Sequence, residues 1–106
     1  MELISSYTRE QAMKDGVLID ISEQARGLFK CSVAVTDRAF ETVVKKLSDF
    51  DNDSVKKLVL CSLLDVARYS KRSQLFFNVN DLRLKSIAGG GDNGELVITV
   101  MLPNED

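Results

Sequence analysis

Residues 89–102 read Gly89-Gly90-Gly91-Asp92-Asn93-Gly94-Glu95-Leu96-Val97-Ile98-Thr99-Val100-Met101-Leu102. Within them, Leu96, Ile98, Val100 and Leu102 fall on one side of an extended chain, and Val97, Thr99 and Met101 on the other. That two-residue alternation of β-branched and apolar side chains is a strand signal, expected over 95–102 and ended by Pro103, which cannot donate to a ladder. The preceding glycines and Asn93-Gly94 supply positions that tolerate positive φ. A turn across 89–94 therefore predicts a C-terminal β-hairpin whose first strand runs from Leu82 to Ala88. Leu75-Phe76-Phe77-Asn78-Val79 reads as a further strand just before it.

Upstream, the period lengthens to that of helices. Ala39, Phe40, Val43, Val44 and Leu47 recur at helical spacing after Thr36, a good N-cap, so a helix is expected over 37–50. Asp49 to Asp53 reads as a polar loop, with Ser54 capping a second helix over about 54–70. That segment is apolar nearly all round. Leu60, Leu64 and Ala67 lie on one side, and Val55, Leu58, Val59, Leu63 and Val66 on another. Such a helix is either central to the domain or part of a subunit interface. At the start, Thr8-Arg9-Glu10-Gln11 has the spacing of a capping box, and Gly16 suits a helix end, giving a short helix at 8–15. Val17 to Ile21 reads as a short strand. Ser22 opens one helical turn closed by Gly27, and Ser32 to Val35 is extended. The expectation is one α+β domain over 1–106, with two to three helices packed on a small, mainly antiparallel sheet.

Composition excludes several chemistries. With no histidine among 106 residues, the commonest general base and the commonest transition-metal ligand are missing. Ser-His-Asp, Cys-His and zinc-hydrolase schemes are therefore closed. Cys31 and Cys61 are the only cysteines. Their number allows one disulfide, but nothing points to an oxidising compartment, and Cys61 reads as a buried thiol within an apolar run. The first residues carry no positive, signal-like region, and no run approaches the ~18 apolar residues of a membrane span. The cytosol is the default location, with no membrane partner.

Three motifs deserve chemical tests. Gly89 to Gly94 matches the spacing of a dinucleotide loop, but such a loop needs a following helix, and here a strand follows. Asp49 to Ser54 resembles the start of a calcium loop, but has Ser54 where glycine is needed and Leu60 where the bidentate glutamate belongs. Ser54 and Lys57 have serine–lysine nucleophile spacing, yet Ser54 is better used as a cap. No catalytic residue, cofactor or metal is assigned.

Charge is uneven along the chain. Residues 1–53 hold seven basic and ten acidic side chains, 54–90 hold seven and two, and 91–106 hold four acidic ones, giving −3, +5 and −4. Arg68, Lys71, Arg72, Arg83 and Lys85 lie near Tyr69, Phe76 and Phe77, a mixture that can hold phosphates and stack bases. With Asp92, Glu95 and Glu105 they form the candidate partner-binding surface.

Residues 8–22, from Thr8 to Ser22, resemble the opening of a widespread family of uncharacterised small proteins encoded on bacterial plasmids, phages and integrated elements. Val33 to Phe40 is similar to the family's next segment, and Gly91 to Asp106 to its ending. The middle departs: relatives are longer there and carry tryptophan where this chain has Phe40. The family brings no catalytic residues. The resemblance implies a mobile-element accessory protein, a class that includes inhibitors of host defence such as anti-CRISPR proteins. The expected role is non-enzymatic protein–protein binding, with a monomer and a homodimer both open. The alternative is a small nucleic-acid-binding accessory or regulatory protein.

Overall fold

The short helix near the N-terminus forms as its capping residues dictate. The computed structural model describes residues 8–25, 27, 29–69 and 72–105, and in it α1 spans Arg9–Lys14. The Thr8 hydroxyl accepts from the Gln11 N–H, and Gly16 follows at φ +80, which costs a glycine little. The chain then enters β1 (Leu18–Asp20). The turn after it differs from the expected cap. Asp20 accepts from the Ser22 N–H, and the Ser22 hydroxyl accepts from the Val33 N–H instead, tying this loop to β2 (Ser32–Thr36).

Thr36 caps α2 (Asp37–Lys46) by accepting from the Ala39 N–H. The helix stops at Lys46, short of the expected residue 50, because Leu47 leaves helical geometry (φ −114, ψ 48) and buries itself in the core. The next helix starts earlier than expected. α3 spans Asn52–Ala67, and its cap is Asp51, whose carboxylate accepts from the Ser54 N–H at 2.8 Å. Ser54 is thus the third residue of the helix and not its cap. The strands β3 (Gln74–Val79), β4 (Leu82–Gly90) and β5 (Leu96–Met101) follow.

The five strands form one mixed sheet in the order β1-β2-β5-β4-β3. Only β2 and β5 pair in parallel, placing Val33 beside Ile98 and Val35 beside Val100. The other pairings are antiparallel, and β4 and β5 make the expected C-terminal hairpin. Its turn is tighter than expected. Gly89 and Gly90 belong to the ladder opposite Val97 and Leu96, and the turn itself occupies Gly91 to Glu95, with Gly94 at φ +81. A second hairpin joins β3 to β4 through Asn80 and Asp81, with Asn80 at φ 56. Asparagine is among the few side chains that accept that conformation.

Register and alternation assign the two faces of the sheet. One carries Ile19, Val33, Val35, Phe77, Val79, Leu84 and Val100, and packs against Ala39, Val43, Leu47, Val55, Val59, Leu60 and Leu63 of α2 and α3 and the segments between them. α3 lies over β3, and α2 reaches β1, β2, β4 and β5. α3 gives fully buried residues from both of its apolar sides, Leu60 from one and Val55, Val59 and Leu63 from the other. What it leaves to solvent is Asn52, Asp53, Ser54, Lys57, Cys61 and Asp65, a mostly polar strip. Cys61, expected buried, is exposed for this reason, and both cysteines are free thiols. The opposite face carries buried Ala34, Val97 and Met101, and α1 contributes the buried Ala12. Among the described residues, no helix is long and apolar enough to cross a membrane.

Candidate functional site

Two regions concentrate polar chemistry, and they do different things. The first surrounds α1. Asp92, in the β4–β5 turn, accepts from the backbone N–H groups of Arg9 (2.9 Å) and Glu10 (3.1 Å). A carboxylate therefore sits at the helix N-terminus, where the dipole and unpaired N–H groups favour an anion. The Arg9 side chain reaches across the sheet. Its Nη1 donates to Thr99 Oγ1 at 2.6 Å and its Nη2 to the Ile98 carbonyl at 2.9 Å, while its Nε is buried without a partner. Burial pulls the Arg9 pKa down, against the opposing charges of Asp20, Asp92 and Glu95 and of Cys31. Glu95 accepts from the Asn93 N–H within the same turn. Together these residues clasp α1 and the hairpin turn onto β5.

Beside the clasp, Lys30, Cys31, Ser32, Glu95 and Leu96 line an open cleft. Cys31 is its only thiol. Burial raises the thiol pKa above its ordinary value, outweighing a hydrogen bond at its own backbone and the charge of Arg9. A thiol held protonated is a poor nucleophile, and no base of the histidine type exists in this chain. The Ser54–Lys57 pair lies on the solvent side of α3 in a groove with Phe50, Leu58 and Cys61. Asp51 holds its carboxyl below the ordinary value, chiefly through hydrogen bonds from the Ser54 side chain and backbone. Ser54 is thereby engaged as a donor in the helix cap. Among the described residues, no group of three or more histidine, cysteine, aspartate or glutamate side chains could hold a metal ion.

The second region is the outer margin of the sheet. Gln74, Phe76 and Asn78 of β3 and Arg83 of β4 are exposed on the face opposite α2 and α3. The Arg83 guanidinium lies over the Phe76 ring, 5.0 Å from its centroid. At an exposed site such a pair is worth about 0.5–1 kcal/mol and holds both side chains in place. Phe76 remains 40% exposed.

The structure scatters the expected surface residues. Arg83 belongs to the sheet margin. Arg68 ends α3, followed by Tyr69, which is 87% exposed. Arg72 is exposed just before β3, and Lys71 lies outside the described residues. Lys85, expected at the surface, is only 6% exposed, because it sits inside β4 opposite Phe76 and Met101. Asp92 and Glu95 belong to the clasp. Glu105 accepts from the Thr36 hydroxyl (2.7 Å) and the Leu102 N–H (2.9 Å), tying the C-terminal segment to the start of α2.

Sequence reading missed Arg9 as a half-buried tie, since its partners lie 89 and 90 residues away. It grouped Arg83 with Phe76 and Phe77 without singling out the stacked Phe76–Arg83 pair, for which a signal existed. Asn80-Asp81 between two apolar runs marks a hairpin, and closing it there puts Phe76 opposite Lys85 and diagonal to Arg83. No family model, curated protein or solved structure matches this chain.

Proposed function

We propose that this chain is a non-enzymatic accessory protein of a mobile element that works by binding another protein, in the manner of inhibitors of host defence such as anti-CRISPR proteins. The observation that carries the binding role is the exposed margin of the sheet, where Arg83 is stacked on Phe76 between Gln74 and Asn78. Arginine and aromatic side chains are those enriched where binding energy concentrates, and a pair already held in place loses less side-chain freedom on binding. The mobile-element setting rests on the resemblance of residues 8–22, 33–40 and 91–106 to that family. The cytosol is the corresponding place of action.

The test is affinity capture from host lysate with wild-type protein and an Arg83→Glu/Phe76→Ser variant, each first shown to be folded by circular dichroism. A partner retained by the wild type and lost by the variant supports the reading. A partner held equally by both moves the binding surface elsewhere, and turnover in a substrate screen that Ser54→Ala or Lys57→Ala abolishes refutes it.

A second reading, nucleic-acid binding, draws on the same pair, since arginine over an aromatic ring can meet a phosphate and a base together. Fluorescence anisotropy with single- and double-stranded oligonucleotides separates it. Affinity that survives physiological salt and falls on Arg83→Glu would favour this second reading over the first.

A further inference from the structure

We propose that a second copy of this chain pairs antiparallel along the outer edge of β3, with Phe76 beside Phe76 of the other copy across a two-fold axis. This inference does not depend on the identity of any other partner.

β3 closes one end of the sheet, and among the described residues no strand lies on its outer side. The hydrogen-bond phase of that edge follows from the ladder. The Ala88 N–H donates to the Ser73 carbonyl at 2.7 Å, extending the register that pairs Gln74 with Ile87. Bonded and non-bonded pairs alternate in antiparallel strands, so Leu75, Phe77 and Val79 turn their backbone groups toward β4. The backbone N–H and C=O groups of Gln74, Phe76 and Asn78 point outward. The side chains of these same three residues are exposed.

Sheet edges are ordinarily protected by lysine, proline, a bulge or brevity. The opposite edge, β1, is three residues long and ends in Asp20. β3 has six residues, Gln74-Leu75-Phe76-Phe77-Asn78-Val79, with no charge, no proline and no bulge in its register with β4. It is also complementary to itself. A two-fold axis through Phe76 sets Gln74 opposite Asn78 of the other copy, amide beside amide. It sets Leu75 opposite Phe77 on the core-side face and the two Phe76 rings together on the other. Cross-strand aromatic and apolar pairs of this kind each add to sheet stability. A two-fold pair is the commonest closed oligomer. It also removes the open edge.

Size exclusion coupled to light scattering should give twice the mass of one chain for the wild type. Phe76→Pro removes an outward N–H and leaves the bonds to β4 in place, as proline on an edge strand can. It should halve the mass. Two paired variants test the register and carry the test if Phe76→Pro does not fold. Gln74→Lys/Asn78→Lys and Gln74→Glu/Asn78→Glu should each be monomeric, and an equimolar mixture should recover the doubled mass. A wild type at the mass of one chain overturns the proposal. So does a lysine or glutamate double variant that stays dimeric alone, or a mixture that stays monomeric.

Discussion

Replacing Arg9 by methionine tests whether the clasp holds α1 on the sheet. α1 has six residues, far below the ~12–15 at which an isolated helix becomes even marginal in water. Its persistence must come from attachments. Arg9→Met keeps an apolar stem of similar reach and removes the two side-chain donors to Thr99 and Ile98. Hydrogen bonds to charged groups contribute about 1.5–3 kcal/mol each. Against them stand the partial desolvation of the guanidinium and its buried, unpartnered Nε, the latter costing about 1–3 kcal/mol. The net expected loss is about 1–3 kcal/mol. At roughly 4–8 °C per kcal/mol for a domain near this size, the midpoint should fall by about 5–20 °C. Thermal denaturation followed by circular dichroism measures it. A double-mutant cycle with Thr99→Val should show coupling of at least about 0.5 kcal/mol, as expected for groups in contact. If Arg9→Met melts within about 2 °C of wild type and the cycle shows no coupling, the clasp contributes nothing measurable, and α1 must be held by Ala12 and its apolar neighbours alone.

Two further outcomes follow from the same geometry. Because Asp51 has its pKa lowered by the Ser54 hydrogen bonds, the stability it adds is present above its ordinary value and is lost as pH falls through the lowered one. The gap in melting temperature between wild type and Asp51→Ala, clear at neutral pH, should therefore close in acid; a gap that widens there would contradict the capping role. Cys61 is exposed and Cys31 is half-buried with a raised pKa, so a maleimide probe at neutral pH should label Cys61 first, in a native mass-spectrometric time course, by roughly tenfold or more in rate.

The fold was legible where one physical signal dominated. Alternation in Leu96 to Leu102 placed β5, helical spacing in Ala39 to Leu47 placed α2, and Thr8 and Thr36 declared their helix starts. Misreadings came where two signals competed. Both Asp51 and Ser54 are good caps three residues apart, and only the chain's path after Phe50 decides between them. Leu47 continued the helical period of α2, yet its place in the core requires the backbone to leave the helix there. Cys61 lies among apolar neighbours, but the helix phase that buries Val59, Leu60 and Leu63 turns it outward. The parallel β2–β5 pairing and the Arg9 tie depend on residues more than sixty positions apart, and no local pattern announces them. The candidate surface was less legible still, since exposure, and not residue type, separates Arg83 from Lys85.

Residues 8–22, 33–40 and 91–105 are tied to one another by long-range hydrogen bonds. Arg9 meets Asp92, Thr99 and Ile98; Ser22 meets Val33; Thr36 meets Glu105. These residues build α1, β1, β2, β5 and the start of α2, and several of their side chains are engaged in holding one another. A surface already engaged in internal bonds has fewer groups to offer a partner. The segment between them supplies α3, β3 and β4, and with them Phe76, Arg83 and the uncharged edge of β3. The clasp and the exposed sheet margin therefore occupy different parts of the sequence. On that division, grafting a different β3–β4 hairpin between Arg72 and Ala88 should leave Arg9, Asp92, Thr36 and Glu105 in their present contacts while it redirects what the sheet margin binds.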